Sequence, residues 1–253
     1  DTEDGEWYGF LFQDRGAVGR VPVLMPCRWI DGWPMLGDEE GKVPLTMSLP
    51  VLGQEATPLV ISDDFDSSEL ALNWQWNHNP DNTLWSLAER KGHLRLKTGK
   101  VVQTIFEARN MLSQRTEGPA CRGIIAMDVS QMKDGDIAGL TAYCSEPGMI
   151  SVNKEAEKKY LVMTDRGVEK ERVELLKDVV YLRLDCDFNE GTDKANFYYS
   201  LDNQDWIKLG SEFQMVYNLE HFMGNRFGIV NYATKAAGGY VDIDYFDYIR
   251  IVE

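Results

Sequence analysis

Apolar and polar residues alternate one by one along much of this chain, most cleanly in VYLRLDCDF, Val180 to Phe188. Val180, Leu182, Leu184, Cys186 and Phe188 fall on one parity, and Tyr181, Arg183, Asp185 and Asp187 on the other. Side chains of a strand point to alternate faces, so the pattern predicts a strand with one dry face and one wet, charged face. The turn-rich NEGTDK follows, and Ala195 to Leu201 repeats the alternation. Antiparallel sheets with one solvated face read this way, and two of them must stack to hide their apolar faces. The pattern predicts a β-sandwich.

Residues Asp1 to Gly37 have a different texture. Strands are predicted at Trp7–Phe12, Arg20–Leu24 and Cys27–Ile30, with a glycine-rich turn over Gln13–Gly19 and a turn at Asp31-Gly32 before Trp33-Pro34. Three strands with Trp and Gly punctuation read as one β-propeller blade. A lone blade cannot bury its faces, so it packs on the rest of the chain or is the tail of a longer protein. Asp38–Pro58, rich in Gly, Pro and acidic residues, reads as a linker. Strands resume at Ser62–Asp66, Gln75–Asn77, Trp85–Ala88, Gly92–Thr98, Arg122–Val129 and Ala138–Cys144. Others are predicted at Ile150–Lys154, Lys159–Thr164, Val168–Leu175, Trp206–Leu209, Phe227–Tyr232 and Tyr240–Ile251, with one short helix at Val216–Leu219. The chain is therefore expected to be all-β. A blade and linker occupy residues 1–57, and an antiparallel sandwich or jelly roll occupies 58–253.

Composition narrows the function. The chain has 253 residues, 43% hydrophobic and 26% charged, enough for one large β domain or a domain with a smaller piece. A net charge of −15 argues against nucleic acid and anionic membranes as partners. No apolar run is long enough to span a bilayer. No charged-then-apolar leader opens the sequence, which begins mid-pattern at Asp1. Cys27, Cys121, Cys144 and Cys186 lack zinc-site spacing. Cys121 and Cys144 could meet across a hairpin centred on Asp134-Gly135, although buried free thiols are the favoured reading. The compartment, secreted or cytoplasmic, stays open at this stage.

Four strings carry a family resemblance. They are GEWYGFLFQDRGAVGRVPVLMPCRWIDGWPMLG (Gly5–Gly37), DDFDSSELALNWQWNHNPDNTLWSLAERKGHLRLKT (Asp63–Thr98), QRTEGPACRGIIAMDVSQMKDGDIAGLTAY (Gln114–Tyr143), and HFMGNRFGIVNYATKAAGG with VDIDYFDYIRI (His221–Ile251). The first is similar to the last blade of the five-bladed propeller of glycoside hydrolase family 43, the β-xylosidase and α-L-arabinofuranosidase group. The other three resemble the concanavalin A-like sandwich appended to it. The resemblance implies an enzyme acting on xylan- or arabinoxylan-type pentose glycosides of bacterial type. Its carbohydrate partner is joined by the missing propeller blades of the same protein. The family's catalytic aspartate base, second aspartate and glutamate acid lie in early blades that nothing here matches, so this chain is expected to be inactive alone. Glycoside hydrolysis needs two converging carboxylates. Glu117-Gly118-Pro119 imitates the family's acid string, but its neighbours match the sandwich, where the position is a turn.

The same resemblance places Arg20, of the Gly19-Arg20 pair, near the substrate, where a guanidinium forks onto hydroxyls; a surface ion pair is the competing reading. Gln13, Asp14 and Arg15 are implied beside it. Phe222 matches a loop that pushes an aromatic ring into the propeller's pocket in related xylosidases, against an ordinary core phenylalanine. His221 beside it hydrogen-bonds a neighbouring loop or is structural. From the residues alone, Trp76 with Trp74 and Trp85 could stack on sugar or be buried in the core or at the propeller interface, and Trp7, Trp29 and Trp33 fit blade packing. Asp64 and Asp66, with Asp63, Asp242 and Asp244, are the candidates for calcium, against solvated turn aspartates. The rival to a glycosidase portion is a carbohydrate-binding module for plant cell-wall polysaccharide without catalysis.

Overall fold

Period-two alternation is realised as antiparallel sheets throughout. The computed structural model describes residues 1–44, 46–48, 50, 53 and 55–252. In chain order the strands are β1 (Trp7–Asp14), β2 (Arg20–Ile30), β3 (Trp33–Leu36), β4 (Gln75–Trp76), β5 (Trp85–Ser86), β6 (Leu94–Lys97), β7 (Leu112–Arg115), β8 (Ala120–Asp128) and β9 (Asp136–Tyr143). There follow β10 (Gly148–Glu155), β11 (Lys158–Asp165), β12 (Val168–Leu175), β13 (Val179–Asp187), β14 (Lys194–Ser200), β15 (Ile207–Lys208), β16 (Phe213–Gln214), β17 (Arg226–Ala233) and β18 (Tyr240–Ile251). The chain divides into two compact units, Asp1–Arg15 with Gly19–Pro58, and Gly16–Val18 with Leu59–Glu253. Among the described residues no helix is long and apolar enough to cross a membrane.

The first unit is a three-stranded meander, β1-β2-β3. β2 is one strand where two were expected, and the expected end at Trp33-Pro34 is instead a third strand. Pro22 and Pro26 do not break β2, because β3 pairs only with Cys27–Ile30 and leaves the prolines with a neighbour on one side alone. The Asp31-Gly32 turn places both residues at positive φ, 50° and 81°. Trp7 meets Trp29 edge-on at 5.2 Å. Phe10 is nevertheless 73% exposed and Trp33 72%. No strand is described between Asp38 and Pro58; Leu45, Leu49, Val51, Leu52 and Gln54 of the expected linker lie outside the described residues.

The second unit stacks a seven-stranded sheet, β12-β11-β10-β9-β17-β7-β4, on an eight-stranded one, β15-β14-β13-β8-β18-β6-β5 with β16 paired to β14. The core between them takes Ala138, Leu140 and Ala142 from β9, Ile150 and Val152 from β10, and Val180, Leu182, Leu184 and Cys186 from β13. Gly123 admits the Phe227 and Phe246 rings, which come within 3.1 Å of where a Cβ would sit. A second, smaller cluster of Val102, Ile105, Ala108 and Met111 with Tyr143, Met149, Val230 and Tyr232 covers part of the outward face of the seven-stranded sheet.

Three expectations change, and the favoured reading of free cysteines holds. The outward face of β13 is half-buried rather than wet. Asp185 there accepts from Arg122 Nε at 2.6 Å and Arg183 Nε at 2.8 Å, while the Tyr198 and Trp206 rings cover Arg183 at 4.5 and 5.6 Å. Ser62–Asp66 is a turn with one bridge, Asp63 to Phe246, because side-chain oxygens of Asp63 and Asp64 accept from the amides two residues on, and Phe65 sits at φ 53°. No helix forms over Val216–Leu219; the helical turns among the described residues are short 3-10 turns at Gly16–Val18, Ile105–Glu107 and Asn189–Gly191. All four cysteines are free, and Cys121 sits across from Cys186 on β13 rather than from Cys144.

Candidate functional site

The segment between β16 and β17 carries an exposed aromatic ring on a braced loop. Phe222 is 59% exposed and its backbone lies at φ 52°, a left-handed conformation costly for a bulky residue. Asn218 holds the turn: its backbone oxygen accepts from Phe222 N at 3.3 Å and its Oδ1 from His221 N at 3.3 Å. Its Nδ2 donates to Ser145 Oγ at 2.5 Å, tying the loop to the end of β9. The His221 ring meets Tyr143 edge-on at 5.2 Å, and the Tyr143 hydroxyl accepts from Asn77 Nδ2 at 2.9 Å. Burial pushes the Tyr143 phenol up and the His221 imidazole down from their ordinary values, so both stay neutral near pH 7. Downstream, the wholly buried Asn225 donates from its backbone to Ala17 O at 2.8 Å and from Nδ2 to Val216 O at 2.9 Å. Both ends of the loop are fixed, and its tip presents a hydrophobic ring to solvent.

At the foot of this loop Arg226 lies across from Arg115 in the β17–β7 register. Neither guanidinium meets a carboxylate among the described residues. Burial and the neighbouring Arg115 charge lower the Arg226 pKa. This pair has the chemistry to receive a carboxylate or several hydroxyls.

The other sequence-predicted residues fall in separate places. In the first unit, Arg20 opens β2 across from Asp14, with Nε 3.1 Å from Asp14 Oδ1 and its guanidinium 4.4 Å from the Phe12 ring centre. Gln13 pairs with Val21 in the same ladder and is exposed, and Arg15 closes the turn by donating to Gly19 O. The three indoles of the second unit share no platform. Trp74 is buried against Phe65 and Phe246 and donates to Asp63 Oδ2 at 2.7 Å, whereas Trp76 pairs with Trp85 at 5.2 Å. Glu117 sits in the turn before β8, half-shielded and ion-paired with Arg250.

Several of the aspartates named for calcium have other partners in this structure. Among the described residues no three acidic, His or Cys side chains gather as a metal group. Asp242 is taken by Arg95, 2.7 Å from its Nε, and by Arg90 at 3.1 Å, while Asp244 stands beside His93 at 3.7 Å. The bridge from the Ser62–Asp66 turn joins Asp63 to Phe246.

Residues 62–249 match the family described as the beta xylosidase C-terminal concanavalin A-like domain. The chain belongs to this family. A β-xylosidase of Formosa agariphila is 31% identical over 258 residues, covering 91% of this chain and 43% of its own length. A structure described as a bifunctional GH43-CE protein of Bacteroides eggerthii superposes with a TM-score of 0.93 at 47% identity, over all of this chain and 34% of that one. A GH43 glycoside hydrolase engineered to display both endo-xylanase and exo-arabinofuranosidase activity superposes at 0.90, with 32% identity, over 99% of this chain and 53% of the other. The chain thus spans about a third to a half of the length of these relatives. Sequence reasoning named Phe222 as a candidate but did not name Asn218, Ser145 or the Arg115–Arg226 pair. Ser145 lies 73 positions from Asn218, and an arginine inside NRFGIV gives no local sign of what faces it.

Proposed function

We propose that this chain is the C-terminal portion of a family 43 glycosidase acting on xylan- or arabinoxylan-type pentose glycosides. In this reading the Phe222 loop contributes to the active-site wall of the whole enzyme, and Arg20 and Gln13 of the first unit are each proposed as substrate contacts. The observation that carries it is the exposed Phe222 ring, kept at a strained backbone angle by a loop braced through Asn218 and His221. Strain of this kind persists where the surroundings over-determine it, and an aromatic face suits the C–H surface of a pyranose. The uncovered faces of β1–β3 support the presence of further blades in the whole protein. The acids of the reaction belong to those blades, since Glu117 is paired with Arg250. In the full-length enzyme, Phe222→Ala is expected to lower kcat/KM on nitrophenyl pentosides on the order of tenfold, which corresponds to about 1.4 kcal/mol. This chain alone is expected to release no nitrophenol. Full activity in the variant, or turnover by the chain alone, would refute the reading.

A further inference from the structure

The outward face of the seven-stranded sheet holds a cleft of about 490 Å³ beside the segment Gln103–Phe106. Met149, Val162 and Phe106 give it apolar surface, with Met149 and Val162 buried. Its polar groups are arranged differently from those of a sealed core. Tyr232, only 9% exposed, lines the cleft, and its hydroxyl has no protein partner among the described residues. Burial pushes that phenol up to about 12, so it is a neutral donor at any working pH. Ser151 Oγ donates to Asn153 Oδ1 at 2.8 Å, which leaves the Asn153 amide nitrogen without a protein acceptor. The Gln103 side-chain amide at the rim is equally unpartnered.

Charge on the rim is already matched. Arg166 is 2.5 Å from Glu146 and 2.6 Å from Asp165, and Glu169 is 2.7 Å from Arg172. An ionic ligand would have to displace these pairs, and a wholly apolar one would strand the Tyr232 and Asn153 groups at a cost. A ligand with C–H faces and several hydroxyls satisfies both kinds of surface.

We propose that this cleft is a second sugar-binding site, distinct from the Phe222 loop, that holds a neutral oligosaccharide. That the sugar is a pentose chain rests on the function proposed above; the cleft itself does not. The test is titration of this chain with xylotetraose and, separately, cellotetraose, followed by amide chemical shifts in NMR. The expected result is saturable binding with a Kd on the order of 1 mM, with shifts concentrated in Ser151–Asn153 and Val162–Thr164. Tyr232→Phe and, on the exposed rim, Gln103→Ala should each weaken binding about threefold to tenfold, the size of one lost hydrogen bond. Thermal melting should be unchanged in both. Binding of cellotetraose alone supports the cleft and overturns the pentose assignment. No saturable response to either sugar overturns the site, as does binding indifferent to both substitutions or shifts confined to Asn218–Gly224.

Discussion

Burial acts on two residues at the Phe222 loop in opposite ways: Arg226 stays charged against it and His221 stays neutral because of it. Arg226 is largely enclosed with Arg115 as its cross-strand neighbour and no carboxylate to offset either. An enclosed charge without a partner destabilises the fold that holds it. Arg226→Met is therefore expected to raise the stability of this chain by about 1 kcal/mol, read as a higher urea midpoint at unchanged slope; a lower midpoint would count against an unmatched charge. His221 gives a pH signature. Burial lowers its pKa from 6.5, so the folded state binds fewer protons than the unfolded one around that pH. Its contribution is fully present above pH 6.5 and is lost as pH falls from there toward the lower folded value. The melting temperature should drop between neutral pH and pH 5.5, and part of that drop should be absent in His221→Gln. Carboxylates held low by their partners, such as Asp81 and Asp202, lose their contribution only in more acidic solution. The two windows are separable.

At the scale of elements, the outward side of β13 is the most consequential. Burial alone would push the Asp185 carboxyl up, but hydrogen bonds from Arg183 and Arg122 hold it below the usual carboxylate range. Asp185→Ala would leave the Arg122 and Arg183 guanidiniums without the carboxylate they share, with Arg183 still covered by the Tyr198 and Trp206 rings. A loss of about 1–3 kcal/mol is expected, measured by urea unfolding, and Arg122→Met on that background should recover part of it. Equal stability of Asp185→Ala and the parent chain would show the triad to be incidental. Strands such as β13, β14 and β18 were legible because one face is apolar and the other is not. β7 was illegible because both its faces are enclosed. Leu112 enters the core, Ser113 Oγ donates to Gln75 O, and the Gln114 amide pairs with the backbone of Ile61. LSQR therefore shows no alternation to read. The first and last segments of the sandwich do adjoin, with Asp63 bridging to Phe246, while Asp242 is taken by Arg95 and Arg90. The turn at Ser62–Asp66 was hidden because local Asp side-chain bonds leave no mark in hydrophobic periodicity.

At the scale of the whole molecule, the first unit is the exposed one. Phe10, Phe12, Leu11, Trp29 and Trp33 all stand in solvent, on both faces of a three-stranded sheet. Apolar area of this kind on an isolated chain drives association. This chain is expected to bind a hydrophobic dye such as ANS and to self-associate with rising concentration, by light scattering. The double change Phe10→Ser with Trp33→Ser should reduce both effects while the melting of the sandwich stays in place. Dye binding that survives the double change would move the sticky surface elsewhere. The blade was legible as three strands, yet its uncovered state was legible only through the rule that one blade cannot hide its own faces.

The short turn Gly16–Val18 interrupts the first unit in sequence while its bonds belong to the second. Ala17 is wholly enclosed; its amide donates to Asp193 Oδ2 at 2.9 Å and its carbonyl accepts from Asn225 N at 2.8 Å. An expression boundary drawn between Pro58 and Leu59 would discard this tripeptide and strand a carboxylate oxygen and an amide that it satisfies. Whoever excises the sandwich for crystallisation or fusion has to carry residues sixteen to eighteen along, because the unit that folds is not one continuous length of gene.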